Sequence, residues 1–404
     1  MPAMKRGLAL EGDVREGLTP VPPAAASRVV WPDAGNRSLR WIDQPRVEAP
    51  GLDSLLAWAF NAGASRVSFQ TGHPVWVRIH GQNHRVTSEP LDEIDFSLIV
   101  NHLYGADGMA RLQGGSDFDT TYTIPISRAV RLRFRINATP TRTSRRDGGN
   151  IVLRPIADLP PSLEQQGVES MILDNYRPRE GMIIVSGATG SGKSTLIAGL
   201  TRAKIEDPEG NYDIVEAAAP VEFLMERVKG PSSTMNQTEI PRDLPSFAAF
   251  VRGAMRREPT DIIVGECRDS ETMSAAVQAA ISGHTLTTTI HANNVPLTMQ
   301  RIASLCPADE RDNLISAVAQ SLRLIVNQRL ARSADGRRTA LREILVFDAA
   351  LRNQLLRTDP SDWPALTQRA VEENGISYRA SIERALSEGR ITERVAAHEL
   401  RQVG

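Results

Sequence analysis

The chain has 404 residues, of which 41% are apolar and 24% charged, an ordinary globular composition at a length that favours two domains. Its 47 basic and 48 acidic residues leave a net charge of −1, so the molecule as a whole is not built to coat nucleic acid or anionic lipid. Two cysteines, Cys267 and Cys306, exclude a disulfide framework and a four-cysteine zinc site, and they fit a reducing cytoplasm. No apolar run approaches the roughly 18–20 residues that span a bilayer. We therefore expect no membrane span, and at most a peripheral role at a membrane.

The first part of the chain predicts an arm and a small domain. Residues 1–50 are rich in Pro, Ala, Gly and Arg, which predicts a flexible N-terminal arm. The segment LDSLLAWAFNAG then has apolar residues at helical spacing, and RVSFQTG, VWVRIHG, DTTYTIP and VRLRFRIN alternate as strands do. These elements predict a small α/β domain over residues 51–160. We interpret its last passage, VLRPIADLPPSL, as a linker because of its prolines.

The second part, residues 161–404, alternates strands and helices. The apolar segments MIIVSG, DIVEAAAP, DIIVGE and TLTTTIH predict strands of a parallel sheet that is covered on both faces. After Pro307 the segment ADERDNLISAVAQSLRLIVNQRL is predicted to be helical and LREILVFD to be a strand. The last fifty residues are predicted to be mostly helix.

A glycine-rich segment between the first of these strands and a helix carries the strongest signal. In MIIVSGATGSGKST the pattern G-x-x-x-x-G-K-[ST] is complete, and small residues let backbone N–H groups surround a phosphate at the positive end of the helix. The Lys193 ammonium would reach the β- and γ-phosphates, and the Ser194 hydroxyl would hold Mg²⁺. The sequence predicts a nucleoside triphosphate site formed by Gly187, Ala188, Thr189, Gly190, Ser191, Gly192, Lys193, Ser194 and Thr195.

A carboxylate and two histidines follow later strands. The β-branched run Ile262–Val264 predicts a buried strand that ends in Gly265 and Glu266, where nucleotide hydrolases place Mg²⁺ or the attacking water. His284 and His291 flank the strand of TLTTTIH and are expected at its opposite ends. No cysteine or third histidine lies near them at ligand spacing, so we do not expect a metal site there.

Three arginines alternate in VRLRFRIN, which places Arg131, Arg133 and Arg135 on one face of a strand. Three interpretations are open: a nucleic-acid patch, arginine fingers offered to the triphosphate of a neighbouring subunit, or a solvated strand face. Given the triphosphate site, we favour the finger interpretation for at least one of them.

In this order, the segments resemble the secretion ATPase superfamily of type II and type IV secretion systems and type IV pili. The family has an acidic box, a strand ending in Gly-Glu and a histidine box after the phosphate loop, here EAAAPVEFL, DIIVGECRDSET and SGHTLTTTIHANN. Two arginines four apart, Arg252 and Arg256, precede the second box as in the family. The N-terminal segments resemble the family's PAS-like domain. The DotB/TraJ-type branch of type IVB secretion and conjugation is most similar, and the PilT-type retraction ATPases are also similar.

The resemblance implies a RecA-like P-loop NTPase domain with a parallel-rich sheet, preceded by a small PAS-like α/β domain. It also implies a homo-hexamer that binds ATP and Mg²⁺ and associates peripherally with the cytoplasmic side of the inner membrane. An inner-membrane secretion platform or another secretion ATPase is the implied partner.

The resemblance also assigns roles to single residues. Lys193, Ser194 and Thr195 hold phosphate and Mg²⁺, and Glu266 is the carboxylate that organises the metal. Glu222, the last residue of APVE, matches the proposed general base, and His291 matches the histidine that senses the γ-phosphate or couples subunits. Arg133 and Arg135 are the expected arginine contacts to ATP, the site lying between the two domains.

Two departures from the family pattern are visible. The acidic box usually begins E-D-P or E-A-P, whereas this chain has Ala218, Ala219 and Pro220, with Glu216 two residues earlier. This leaves one part of the acidic cluster open but not Glu222. The four-cysteine insertion of type II assembly ATPases is absent from the sequence, which favours the retraction-like or type IVB branches.

The resemblance and the residues together leave three hypotheses about function. The leading one is a motor that energises type IVB secretion or conjugation, and the alternative is a pilus retraction ATPase with the same catalytic motifs. A nucleic-acid translocase is the third, supported only by the arginine strand. The near-neutral charge and the lack of interleaved aromatic residues argue against direct nucleic-acid binding.

Overall fold

The computed structural model describes residues 49–79, 82–126, 131–142, 147–156, 159–307 and 310–403. The chain divides after residue 158 into two compact units, close to the boundary expected at residue 160. The predicted flexible arm lies outside the described residues except for residues 49 and 50, which begin the first helix.

The first unit is a six-stranded antiparallel sheet with helices. Its strands lie in the order β3-β2-β1-β6-β5-β4. Its elements are α1 (Ala49–Asn61), β1 (Ala64–Gln70), β2 (Trp76–Ile79), β3 (Gln82–Arg85), α2 (Glu93–Tyr104), α3 (Gly108–Gln113), β4 (Phe118–Pro125), β5 (Arg131–Arg142) and β6 (Asp147–Ile156).

The period-two pattern of this unit places its core on one face of the sheet. On β5 the apolar residues Leu132, Phe134 and Ile136 are buried, and the Phe134 ring meets Phe60 of α1 edge to face at 6.0 Å between centroids. The four predicted strands are confirmed. The linker assignment for VLRPI is wrong: these residues belong to β6, between β1 and β5, because alternate residues such as Leu153 are buried in the same core.

The second unit is a seven-stranded sheet in the order β13-β12-β7-β11-β10-β8-β9. Every neighbouring pair is parallel except β12 and β13, so the expected parallel-rich sheet is confirmed. Its strands are β7 (Gly181–Ser186), β8 (Asp213–Ala218), β9 (Thr234–Glu239), β10 (Asp261–Val264), β11 (Thr285–Ile290), β12 (Leu322–Arg332) and β13 (Arg338–Val346).

Helices cover both faces of this sheet and make up the C-terminal part, as the sequence predicts. They are α4 (Ser170–Leu173), α5 (Lys193–Ile205), α6 (Phe247–Ala254), α7 (Ser270–Ile281), α8 (Val295–Leu305), α9 (Arg311–Ser321), α10 (Ala349–Arg357), α11 (Trp363–Asn374), α12 (Tyr378–Ser387) and α13 (Glu393–Leu400). Within the described parts of the chain, no helix is long and apolar enough to cross a bilayer.

Two local predictions differ from the structure. The helix expected through ADERDNLISAVAQSLRLIVNQRL ends at Ser321, and LRLIVNQRL is β12 instead. Its residues Leu324, Ile325 and Val326 are all fully buried between β7 and β13, an environment that suits a continuous apolar strand. The edge strand β9, with the polar sequence TMNQTE, was not predicted because polar residues give no strand signal.

The parallel sheet brings the predicted site segments to one edge. Strands β7, β8, β10 and β11 are parallel neighbours, so their carboxyl ends meet, which is where open α/β sheets bind ligands. The segments that leave these ends carry Lys193, Glu222, Glu266 and His291.

Candidate nucleotide site

The phosphate loop, residues 187–192, leaves the fully buried strand β7 and enters α5. Gly187, Gly190 and Gly192 have φ angles of 146°, 78° and 87°, which side chains disfavour. At Gly187 an added Cβ would also lie 2.3 Å from the carbonyl oxygen of Gln328. Only glycine fits there, so the motif glycines are required by the backbone itself.

Lys193 is folded back over this loop. Its ammonium donates to the carbonyl oxygens of Gly187 at 2.8 Å and Ala188 at 2.9 Å, and the residue is buried. Burial lowers the pKa of Lys193, whereas the charges of Glu266 and Glu222 act to raise it. The charges of both predicted carboxylates thus act on the ammonium, and their roles toward a nucleotide stay predictions.

The loop has the donors that a phosphate requires. Among the described residues the buried Ser191 hydroxyl has no hydrogen-bond partner, and the loop is followed directly by the first turn of α5. Ala188, Thr189 and Gly190 are exposed. The unpartnered Ser191 hydroxyl, the Lys193 ammonium and the N-terminus of α5 lie at one place and fit a phosphate group. Ser194 is exposed and Thr195 half-buried in that first turn.

Glu266 lies two residues beyond β10 and its backbone is held by β11. The Gly265 carbonyl accepts from the Thr289 hydroxyl at 2.7 Å, and the Cys267 N–H donates to the Thr289 carbonyl at 3.0 Å. An added Cβ at Gly265 would lie 3.0 Å from the Ala217 carbonyl oxygen, so glycine also allows the close approach to β8. These contacts fix the direction in which Glu266 leaves the sheet.

The Glu266 carboxylate is paired with two basic side chains. His291 Nε2 is 3.1 Å from Oε1, and Arg268 Nη2 is 2.6 Å from Oε2. His291 follows the last residue of β11 and His284 precedes its first, so the two histidines lie at opposite ends as predicted, and His284 Nδ1 is 2.8 Å from the Pro259 carbonyl oxygen. Sequence reasoning missed Arg268, although it lies only two residues after Glu266.

Glu222 is half-buried and lies on the acidic loop, residues 219–224, which follows β8. Side chains of β9 hold the loop. The Gln237 amide donates to the Phe223 carbonyl at 2.8 Å and accepts from the Met225 N–H at 2.8 Å, and the Glu239 carboxylate accepts from the Val221 N–H at 3.3 Å. Sequence reasoning missed both β9 residues.

Two further carboxylates surround the position of Ala218. Glu239 of β9 is paired in register with Ala218 and is buried, so a carboxylate lies beside the place where the family has glutamate. Glu216 accepts from the Gln237 amide at 2.5 Å. Burial raises the pKa of Glu216 from 4.5 to about 7, the Glu222 charge adds to this rise, and the hydrogen bond from Gln237 opposes it.

Arg133 and Arg135 belong to the first unit. On β5, Arg131 is exposed, Arg133 buried and Arg135 half-buried, all on the face opposite Phe134, as the period-two pattern predicts. Arg135 Nε is 4.0 Å from Asp119 Oδ1. In the sheet, Arg135 is paired in register with Arg154 of β6. Their role toward a nucleotide stays a prediction.

A phosphate loop on a parallel sheet, with Gly-Glu directly after a nearby strand of the same sheet, defines an ATPase with a RecA-like fold. The family model for type II/IV secretion system proteins matches residues 52–399, and the chain belongs to this family of ATPases. The chain is 30% identical over 311 residues to the type IV pilus retraction ATPase PilT of Pseudomonas aeruginosa, covering 76% of this chain and 86% of PilT.

Solved structures agree with this assignment. The X-ray structure of the Legionella pneumophila ATPase DotB is 36% identical with a TM-score of 0.80, covering 91% of this chain and 100% of DotB. The crystal structure of the pilus retraction motor PilT with bound ADP is 27% identical with a TM-score of 0.73, covering 86% of this chain and 96% of PilT.

Proposed function

We propose that the chain is an ATP-hydrolysing motor that works as a homo-hexamer and energises a type IVB secretion or conjugative machine. The likeness to DotB carries this proposal, because it extends over all of that chain at 36% identity. The motor would associate peripherally with the cytoplasmic face of the inner membrane and act on an inner-membrane secretion platform or on another secretion ATPase.

The phosphate loop would bind the triphosphate. The side-chain donors of this loop are the Ser191 hydroxyl, which has no hydrogen-bond partner among the described residues, and the Lys193 ammonium, which donates to the carbonyl oxygens of Gly187 and Ala188. The ammonium would leave the carbonyl oxygens of Gly187 and Ala188 for phosphate oxygens. Ser194 would hold Mg²⁺ directly, and Glu266 would hold it through bound water. When bound, the metal supplies positive charge to the β- and γ-phosphates.

Two carboxylates would divide the remaining work. Glu222 would orient the attacking water and accept its proton, since phosphoryl transfer needs little beyond positioning and charge compensation. Glu266 would organise metal-bound water. His291, whose Nε2 is 3.1 Å from the Glu266 carboxylate, would sense the γ-phosphate or couple subunits. The side chains of Gln237 and Glu239 on β9 hold the backbone of the loop that carries Glu222.

Arg133 and Arg135 would supply positive charge to the triphosphate from the first unit. Arginine fingers contribute on the order of 10³–10⁵ in rate in other NTPases. Arg135→Ala is the sharper variant because Arg135 is half-buried, whereas Arg133 is buried. The proposal predicts that Arg135→Ala binds ADP like the wild type and hydrolyses ATP far more slowly. Unchanged turnover in Arg135→Ala and in a well-folded Arg133→Ala would exclude the finger role.

Inactivation of the gene in its host tests the cellular role. The proposal predicts loss of conjugative transfer or protein secretion, with rescue by the wild type and no rescue by Lys193→Ala. Lys229→Ala, which changes an exposed lysine, is the matched control and should rescue. Pilus retraction should be intact.

Pilus retraction is the second candidate, favoured by the 30% identity to PilT over 86% of that protein. It predicts loss of pilus retraction in the same strain, with transfer and secretion unaffected. A nucleic-acid translocase would instead bind single-stranded DNA in a filter assay with an affinity that falls steeply as salt rises. We expect no such binding.

A further inference from the structure

A buried arginine lies behind the phosphate loop, in the antiparallel part of the sheet. Arg342 of β13 is 1% exposed. Its Nε donates to Gln328 Oε1 at 2.7 Å, Nη1 to Glu169 Oε2 at 2.8 Å and to the Gly167 carbonyl at 3.0 Å, and Nη2 to the Gln166 carbonyl at 3.1 Å. A buried charge is tolerated only when it is paired and hydrogen-bonded in this way. Arg342 therefore joins β12 to the segment before α4.

Gln328 of β12 continues this chain of contacts to the phosphate loop. Its Nε2 donates to the Ser191 carbonyl at 2.7 Å, and the residue is buried. The loop also packs closely against Gln328 at two glycines: an added Cβ would lie 2.3 Å from the Gln328 carbonyl oxygen at Gly187 and 2.8 Å from Nε2 at Gly192. The side-chain amide thus contacts the loop directly, and its orientation is fixed by Arg342.

The segment at the other end of these contacts, residues 159–169, is the first part of the second unit and follows the division after residue 158. It also lies against α5. The Arg202 guanidinium donates to the Pro160 carbonyl at 2.9 Å, and an added Cβ at Gly199 would lie 2.0 Å from the Gln166 amide nitrogen. The segment therefore touches the helix that follows the phosphate loop as well as Arg342. We call residues 159–169 the junction segment.

We infer that Gln328 and Arg342 are positioning residues for the phosphate loop, and that through them nucleotide binding and the packing of the junction segment are coupled. Gln328 holds the Ser191 carbonyl and so the turn that presents the loop N–H groups. Arg342 holds Gln328 and the junction segment at once. Coupling of this kind is reciprocal: if the contacts favour ADP binding, bound ADP favours the contacts. The inference rests on the assignment of the phosphate loop as the nucleotide site.

ADP binding by calorimetry to full-length variants tests the first contact. Gln328→Met keeps the volume and removes the amide, so the Kd for ADP should rise roughly 3- to 10-fold, the effect of one hydrogen bond. Arg342→Met is combined with Glu169→Gln so that no buried charge is left unpaired. Neither Arg342 nor Glu169 contacts an atom of the phosphate loop, yet the inference predicts a similar rise in the Kd for ADP in this double variant. Adding Gln328→Met to it should raise the Kd little further.

A buried ion pair elsewhere serves as the control for stability. Lys204 and Asp261 are 2.5 Å apart and 6% exposed at the far end of α5. Lys204→Met should lower Tm at least as much as the Arg342 pair and leave the Kd for ADP unchanged. Hydrogen exchange gives a second readout: ADP should slow amide exchange in the junction segment of the wild type but not of Gln328→Met.

Each outcome decides the matter. Wild-type ADP affinity in Gln328→Met, or in the Arg342 pair, overturns the positioning role. An equal rise of the Kd in Lys204→Met also overturns it, because the effect would then be general destabilisation. Lys193→Ala tests separately whether the phosphate loop is the nucleotide site. Wild-type ADP binding by Lys193→Ala would refute that assignment. Lost ADP binding by Lys193→Ala, together with wild-type ADP binding by Gln328→Met, would refute the positioning role alone.

Discussion

The phosphate loop and the acidic loop both leave the carboxyl end of a buried parallel strand, but different parts of the chain shape them. In the phosphate loop the path is set by its own glycines, with φ angles of 146°, 78° and 87° at Gly187, Gly190 and Gly192. In the acidic loop, residues 219–224, the path is set by side chains of the next strand, Gln237 and Glu239.

Because the two loops are shaped in different ways, nucleotide binding and ATP turnover should respond to different substitutions. The phosphate loop takes its path from its own glycines and is supported from behind by Gln328 at the Ser191 carbonyl, whereas the acidic loop depends on hydrogen bonds from the side chains of β9. Nucleotide binding should therefore respond mainly to changes in and directly behind the phosphate loop, and turnover should respond to changes in β9 as well.

Lys193→Ala should abolish ATP turnover and leave the fold intact. The ammonium is a point charge for the phosphates, and the loop geometry is set by backbone rather than by this side chain. Phosphate release measures turnover, and circular dichroism checks the fold. Lys229→Ala, at an exposed position, should behave like the wild type. Turnover by a folded Lys193→Ala protein would contradict the site assignment.

Glu266→Gln should lower turnover by roughly 10–100-fold, the usual effect of a group that acts through the ligands of a metal. It also weakens the contacts to His291 and Arg268. The Mg²⁺ concentration that gives half-maximal turnover should rise, which a titration of the rate with Mg²⁺ measures. An unchanged Mg²⁺ requirement would remove Glu266 from the metal site. Glu388→Gln, at the exposed end of α12, is the control.

Gln237→Met should lower kcat about 10-fold and leave the KM for ATP unchanged. The change removes the two hydrogen bonds that hold Phe223 and Met225 and a third to the Glu216 carboxylate, and each contributes about 1 kcal/mol to stability. In a Glu222→Gln background the same change should have no further effect, because its action passes through Glu222. A rise in KM at unchanged kcat would show that β9 acts on binding instead.

Glu216→Gln should have the smallest effect, and one that depends on pH. The pKa of this carboxyl is raised from 4.5 to about 7, chiefly by burial, so the folded state binds more protons than the unfolded state between these values. The wild type therefore loses stability as pH rises from 4.5 through 7. The Tm of Glu216→Gln relative to the wild type should rise over the same interval. A constant difference in Tm from pH 5 to pH 8 would exclude the raised pKa.

The difference between a loop shaped by its own residues and one held by side chains of another strand also explains which parts of the site could be predicted from the sequence. The phosphate loop was readable because its conformation and its chemistry lie in one short segment, and the strands around it are continuous apolar runs. The support of the acidic loop was not readable: TMNQTE has neither apolar periodicity nor a motif, and its effect appears only when β9 pairs with β8.

Two other features needed tertiary structure. The segment LRLIVNQRL follows a helix without a turn signal, and only its position between β7 and β13 makes it a strand. The contact of Gln328 with Ser191 joins residues 137 apart in the chain, and the pairing of Arg342 with Glu169 joins residues 173 apart. No local pattern records such contacts.

The most direct test of the account measures ATP turnover and ADP binding on the same Glu222→Gln protein. The change keeps size and hydrogen-bonding capacity but removes the base, so turnover should fall by roughly 10²–10⁴, while the Kd for ADP stays at the wild-type value. Glu216→Gln, measured beside it, should retain turnover. Near wild-type turnover in Glu222→Gln together with lost turnover in Glu216→Gln would contradict the account and make Glu216 the base.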